Sequence, residues 1–179
     1  MPVDFARIYD AHARALFGYA LNLTRNEADA RDVLQEIFHR LARRPGLMDG
    51  VRSERGFLLR LAHNQAIDLM RRRSAREKTG ALAAPEETVG HPFAASQAAD
   101  EEGFRRALAE SLGKLPPDQR AVVHLKLWED ATFAEIAEML GVSAHTAASR
   151  YRYGIDKLQT ELRPFYNEVK NSWTNLKNS

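Results

Sequence analysis

The chain has 179 residues, room for one ordinary domain or two small ones. Hydrophobic residues make up 44% and charged residues 28%, a balance that suits a packed core and excludes a disordered polyelectrolyte. The absence of cysteine excludes disulfides and thiolate metal sites, while a net charge of +2 excludes little by itself.

Its distribution is more telling. Residues 1–76 carry 14 Lys/Arg against 9 Asp/Glu, residues 77–104 carry 1 against 6, and residues 105–165 carry 9 against 8. A basic block, an acidic connector and a near-neutral block imply separate tasks. No stretch approaches the roughly 18 apolar residues of a membrane span. Met1-Pro2-Val3-Asp4 lacks the basic-then-apolar pattern of a secretory signal, so a cytoplasmic protein without membrane insertion is expected.

From the N-terminus, Phe5, Ile8, Tyr9, His12, Leu16, Tyr19, Ala20 and Leu23 recur at helical steps and predict a first amphipathic helix. A second is predicted over Glu27–Arg44, with Asn26 as its N-cap and Pro45-Gly46 as its stop; Val33, Leu34, Ile37, Phe38 and Leu41 form its apolar side. Leu47–Arg55 reads as a loop, and a third helix follows over Gly56–Arg76. Residues 77–104, with Gly80, Pro85, Gly90 and Pro92 and no apolar stripe, read as a flexible connector. Helical pattern resumes near Asp100 and breaks at Pro116-Pro117; the next helix, Asp118–Trp128, carries Ala121, Val122, Leu125 and Trp128. The predicted fold is all-α: two small helical domains joined by a flexible linker.

Thr132–Leu158 is the most informative stretch. Thr132 and Glu135 have capping-box spacing, Ile136, Ala137 and Leu140 face inward, and Gly141 can end the short helix in a left-handed conformation. Val142 plugs the corner, Ser143 caps the next helix, and Ala147, Tyr151, Ile155, Leu158 and Leu162 share one face of it. This is a helix-turn-helix pattern, whose second helix can enter a major groove. Its outward face holds Ala144, His145, Ala148, Ser149, Arg152 and Tyr153, with Thr146 near the helix start. Arg suits a guanine edge, Ser either base type, and Ala a thymine methyl. An ordinary helical hairpin with a solvated face is the competing reading.

Leu115-Pro116-Pro117-Asp118-Gln119-Arg120, followed by Phe133–Ser143, Thr146 and Ser149-Arg150, resembles the −35-recognition domain of extracytoplasmic-function sigma factors in the sigma-70 family. Asp32-Val33-Leu34-Gln35-Glu36-Ile37-Phe38 resembles that family's Asp-x-x-Gln-Glu-x-Phe signature, and Phe57–Arg73 resembles its −10-recognition helix. The signatures lie in family order and span about residues 5–165.

The resemblance implies a transcription initiation factor rather than an enzyme, without cofactor. A region 2-like domain (1–76) would bind core RNA polymerase and the −10 element, 77–104 would be an acidic linker, and a region 4-like domain (105–165) would bind the −35 element. Asp32, Gln35, Glu36 and His39 would face polymerase; the competing reading is a solvated acidic face. The loop Leu47–Arg55 would hold an extruded base, with Asn64, Asp68, Arg71, Arg72 and Arg73 along the approach. Asp68 could equally hold an arginine through an ion pair. His145, Thr146, Ala148, Ser149, Arg152 and Tyr153 would read the −35 duplex. Promoter DNA, core polymerase and an anti-sigma factor are the implied partners. A decoy that sequesters an anti-sigma factor is the alternative, and such decoys tend to lose a DNA-reading helix; both helices are present here.

Three positions depart from the family pattern: Phe57 for the usual tryptophan, Ala147 for valine, and Ala148 for a basic or polar residue. Residues 166–179 extend past the resemblance as an added helix or a frayed tail. The six histidines have no metal-ligand spacing, and the isolated glycines make no phosphate loop.

Overall fold

The computed structural model describes residues 4–79 and 99–177. Among them it has no strand, only seven α-helices and a 3-10 turn: α1 (Phe5–Thr24), α2 (Glu27–Arg43), the turn Pro45–Met48, α3 (Glu54–Lys78), α4 (Ala99–Gly113), α5 (Pro117–Leu127), α6 (Phe133–Leu140) and α7 (Ala144–Lys177).

Short polar side chains set the helix starts. Asp4, Asn26 and Ser53 each accept a bond from the backbone amide three residues on, at 3.0, 3.0 and 3.1 Å, satisfying donors the helix leaves free. Because Ser53 caps α3, the helix begins at Glu54, and the loop expected to reach Arg55 ends two residues earlier. At the other end α3 continues to Lys78, and α4 begins at Ala99. Both ends of the expected connector are therefore helical, while 80–98 lies outside the described residues. Beyond the family pattern, α7 runs on through Pro164 to Lys177 as one helix.

Helices α1, α2 and α3 pack on one another around Leu16, Leu23, Ile37, Leu41 and Leu58. Helices α4 to α7 form a second group, where Leu112, Leu115, Val123 and Leu158 make a small core under α4. The two groups also pack together, α1 against α5 and α3 against α6. One apolar cluster runs through both, joining Leu16, Tyr19 and Leu59 to Val122, Leu125 and Ile136. This packing explains α5. Its residue pattern predicts one apolar side, but Arg120 through Leu125 are all buried because α1 covers one flank and α7 the other.

Candidate functional site

On α2, burial of Ala30, Val33, Ile37 and Leu41 turns the opposite side outward. Asp32, Gln35, Glu36 and His39 border one shallow depression there, and all four are exposed. Two carboxylates and an amide on consecutive turns offer acceptors for a basic partner, with further donors from the amide and imidazole.

On α3, Asn64, Asp68, Arg71 and Arg72 lie outside the core along one side of the helix. Arg73 has a different environment. Its guanidinium is paired with Asp29 of α2 and lies 3.3 Å from Glu77, so it braces α3 against α2. Successive helical residues are about 100° apart, so three consecutive arginines cannot share a face. Asp68 makes no ion pair with an arginine among the described residues.

The segment before α3 is held from beneath. Both terminal nitrogens of the Arg7 guanidinium donate to Glu54, at 3.1 and 2.6 Å, and His12 Nε2 lies 2.7 Å from Glu54 Oε1. The Arg7 hydrogen bond, assisted by His12, keeps the Glu54 carboxyl below its ordinary pKa despite partial burial. Gly50, with φ of +73°, turns the loop where a side chain would be strained. A cavity of 470 Å³ lies between this loop and α6. Arg52, Arg55 and Arg60 form its basic side; no sequence motif marks them, although Arg52 adjoins the Ser53 cap and Arg55 follows it by two residues.

The helix-turn-helix is built as its residues predict. Thr132 and Glu135 complete a reciprocal capping box, and Gly141 ends α6 at φ of +67°. Ser143 Oγ accepts from the Thr146 amide at 3.0 Å and lies 2.8 Å from Thr146 Oγ1. Ala147 is fully buried, and the Phe133 and Tyr151 rings meet edge to face at 5.6 Å. His145, Arg152 and Tyr153 are exposed; Thr146, Ala148 and Ser149 are half-buried on the same stretch. The Arg152 guanidinium stands 5.2 Å above the Tyr153 ring, so its approach to a base edge is partly set by that ring. Arg150, by contrast, turns back to Asp118 at 2.6 Å.

Polar groups line the junction of the two helix groups. Arg120 of α5 donates to the carbonyls of Asn22 and Leu23 at the end of α1, and to those of Gly113 and Leu115. Arg25, held at φ of +55°, crosses to the Ala109 carbonyl at 2.9 Å. The Tyr19 hydroxyl lies 3.0 Å from His63 Nδ1, and its ring packs on His124 at 5.2 Å. Burial, with the Glu129 carboxylate, pushes the Tyr19 phenol far up, so it stays protonated. Burial lowers the pKa of His63; Asp118 opposes this, and Arg150 and Arg71 reinforce it. Glu129 accepts from Arg55 Nε at 2.8 Å and has His124 Nε2 3.7 Å away. Burial alone would raise its pKa, but His124 and Arg55 outweigh burial and hold it low.

Residues 8–76 match Sigma-70 region 2, and residues 111–160 match Sigma-70 region 4. The ECF RNA polymerase sigma factor SigL of Mycobacterium tuberculosis is 34% identical over 162 residues, covering 87% of each chain. The RNA polymerase sigma factor CarQ of Myxococcus xanthus is 31% identical over 165 residues, covering 92% of each. In fold, the chain is similar to the sigma factor RpoE of Bartonella quintana, solved in complex with the anti-sigma factor NepR. That match has a TM-score of 0.73 at 22% identity and covers 89% of this chain and 97% of the other. With both regions matched in order around a helix-turn-helix, the chain belongs to the extracytoplasmic-function sigma factors of the sigma-70 family, the factors of promoter-specific transcription initiation.

Proposed function

We propose that this chain divides promoter recognition between its two helix groups while bound to core RNA polymerase. The α2 face of Asp32, Gln35, Glu36 and His39 docks on polymerase. Within residues 1–76, the loop before α3 takes up an extruded base of the −10 element, and Asn64, Asp68, Arg71 and Arg72 line the strand's approach. Arg73 acts there as a brace. Within residues 105–165, His145, Thr146, Ala148, Ser149, Arg152 and Tyr153 meet the −35 duplex. The 77–104 segment joins the two, so binding at one element raises the effective concentration at the other.

One observation carries this reading: two outward polar faces, on α3 and at the start of α7, occur on a chain that matches both sigma regions. The RpoE complex supports an anti-sigma factor as a further partner. Action on polymerase and promoter implies a cytoplasmic protein, and the reading involves no catalysis or cofactor.

The test is in vitro transcription with bacterial core polymerase on fragmented genomic DNA, with and without the protein. New start sites sharing −10 and −35 motifs are expected; none, from folded protein and active core, would overturn the reading. Arg152→Ala should weaken and relax −35 choice by about 1–3 kcal/mol, the worth of one bidentate hydrogen-bonded pair with a base. Unchanged promoter selection would remove Arg152 from the reading face.

A further inference from the structure

No residue between Leu41 and Leu58 is buried, so the stretch that carries the loop before α3 has no core of its own. Backbone bonds shape it locally. The amides of Leu47, Asp49 and Val51 donate to the carbonyls of Arg44, Gly46 and Met48, at 3.0, 3.1 and 3.3 Å. Such bonds fix the course of the turn but not its place on the helices beneath. Among the described residues, Glu54 is the one member of 45–54 whose side chain hydrogen-bonds to another helix. It is the first residue of α3 and follows the Ser53 cap directly.

Both partners of Glu54 come from α1. Arg7 Nη1 and Nη2 donate to Oε1 and Oε2 respectively, and this two-point grip fixes the plane of the carboxylate. Because that carboxyl is held ionised, chiefly by the Arg7 bond, Oε1 accepts and His12 Nε2 carries the third hydrogen. Water competes for a partly exposed carboxylate, so these bonds add little to folding. They add more to placement, because no buried side chain in the stretch holds it, and a displaced binding group loses much of its effect.

We infer that Arg7 and His12 are positioning residues for −10 recognition: through Glu54 they hold the loop 47–53 in the one placement that meets the extruded base. Neither touches DNA. This rests on the reading of the loop as the base-capturing segment. The competing role is that Arg7, whose side chain is 56% exposed, binds a phosphate itself.

The test uses the full chain bound to bacterial core polymerase, on a promoter template premelted across the −10 element. Each base of the −10 non-template strand is replaced in turn by an abasic residue. The readout is a ratio of affinities, the intact template against the abasic one that costs the parent chain most. Glu54→Ala and His12→Leu should each shrink that ratio roughly three- to tenfold, the scale of one partly exposed charge-assisted contact. His12→Gln, whose amide can donate as Nε2 does, should keep most of it.

Arg7→Ala should shrink the ratio in the parent chain but not in the Glu54→Ala variant, as a residue acting through Glu54 must. An equal loss in both backgrounds would place Arg7 on the DNA and overturn its positioning role. A parent-like ratio in Glu54→Ala and His12→Leu, with binding lowered alike on both templates, would make the contact structural only. That result would overturn the inference and leave base capture in place. A parent chain that binds intact and abasic templates equally at every position would remove base capture by the loop, and the inference with it.

Discussion

Arg120 ties the end of α1 to the corner between α4 and α5. At 5% exposure it spreads its donors over four carbonyls at 2.8–3.2 Å, two in α1, one at the end of α4 and one between α4 and α5. Arg120→Met would keep most of the volume but leave those acceptors unpaired, each costing of order 1 kcal/mol. About 3 kcal/mol of lost stability in guanidinium denaturation is expected. Arg120→Lys should recover only part of it, since an ammonium cannot fork between acceptors. His63 makes a second residue-scale prediction, on pH. Its folded pKa lies below the ordinary value, so the unfolded chain binds the extra proton first. The stability it contributes is present above an ordinary histidine pKa of about 6.5 and is lost as pH falls below that. Glu54 and Glu129, whose pKa values are also depressed, contribute stability above the ordinary carboxylate range, lost only at lower pH. Melting temperature should therefore fall in two stages on acidification. In His63→Gln the first stage should shrink, and an undiminished first stage would sink this assignment.

At the scale of elements, two glycines separate helix propensity from packing. Gly18 lies in α1 with open space where a Cβ would stand, whereas a Cβ on Gly154 in α7 would come within 2.7 Å of Val123 Cγ2 on α5. Helix propensity alone favours alanine at both sites by about 1 kcal/mol. Gly18→Ala should raise stability by roughly that amount, while Gly154→Ala should lower it by about 1–3 kcal/mol through overpacking of the α5–α7 crossing. Thermal melts of the two variants check this, and equal gains would show that the crossing yields easily. The sequence discloses less about Gly154 than about Gly141. Gly141 stands where an apolar period ends and a Ser cap follows, a local pattern that predicts its left-handed backbone. Gly154 lies inside an unbroken helix, and only its neighbour on α5 reveals why it is small. The same division holds for the caps and the charged surfaces. Asn26, Thr132 and Ser143 act within a few residues and are legible in the chain. The brace of Arg73 on Asp29 joins residues 44 apart and is not.

At the scale of the whole molecule, the helix-turn-helix and the α2 and α3 faces follow from periodicity, but the junction between the groups does not. Its members carry no distinct pattern: Tyr19 reads as one more apolar residue of α1, and His124 and Arg120 fall off the expected apolar side of α5. They are buried because α1 lies on that side. The junction has a consequence for unfolding. A single apolar cluster runs from Leu16 and Tyr19 to Val122 and Ile136, so neither group can unfold without stripping part of the other's core. Cooperative units follow shared burial, not chain segments. The free chain should thus unfold in one transition despite its two matched regions. The chain has two tryptophans, Trp128 and Trp173, and none in the first group. In Trp173→Phe, fluorescence belongs to Trp128, which packs on the small core under α4, while far-ultraviolet dichroism reports helices of both groups. Coincident midpoints are expected from the two signals. A dichroism change that precedes or outlasts the Trp128 transition would mean that the groups unfold independently, and that their shared apolar surface is too weakly held to close the free chain.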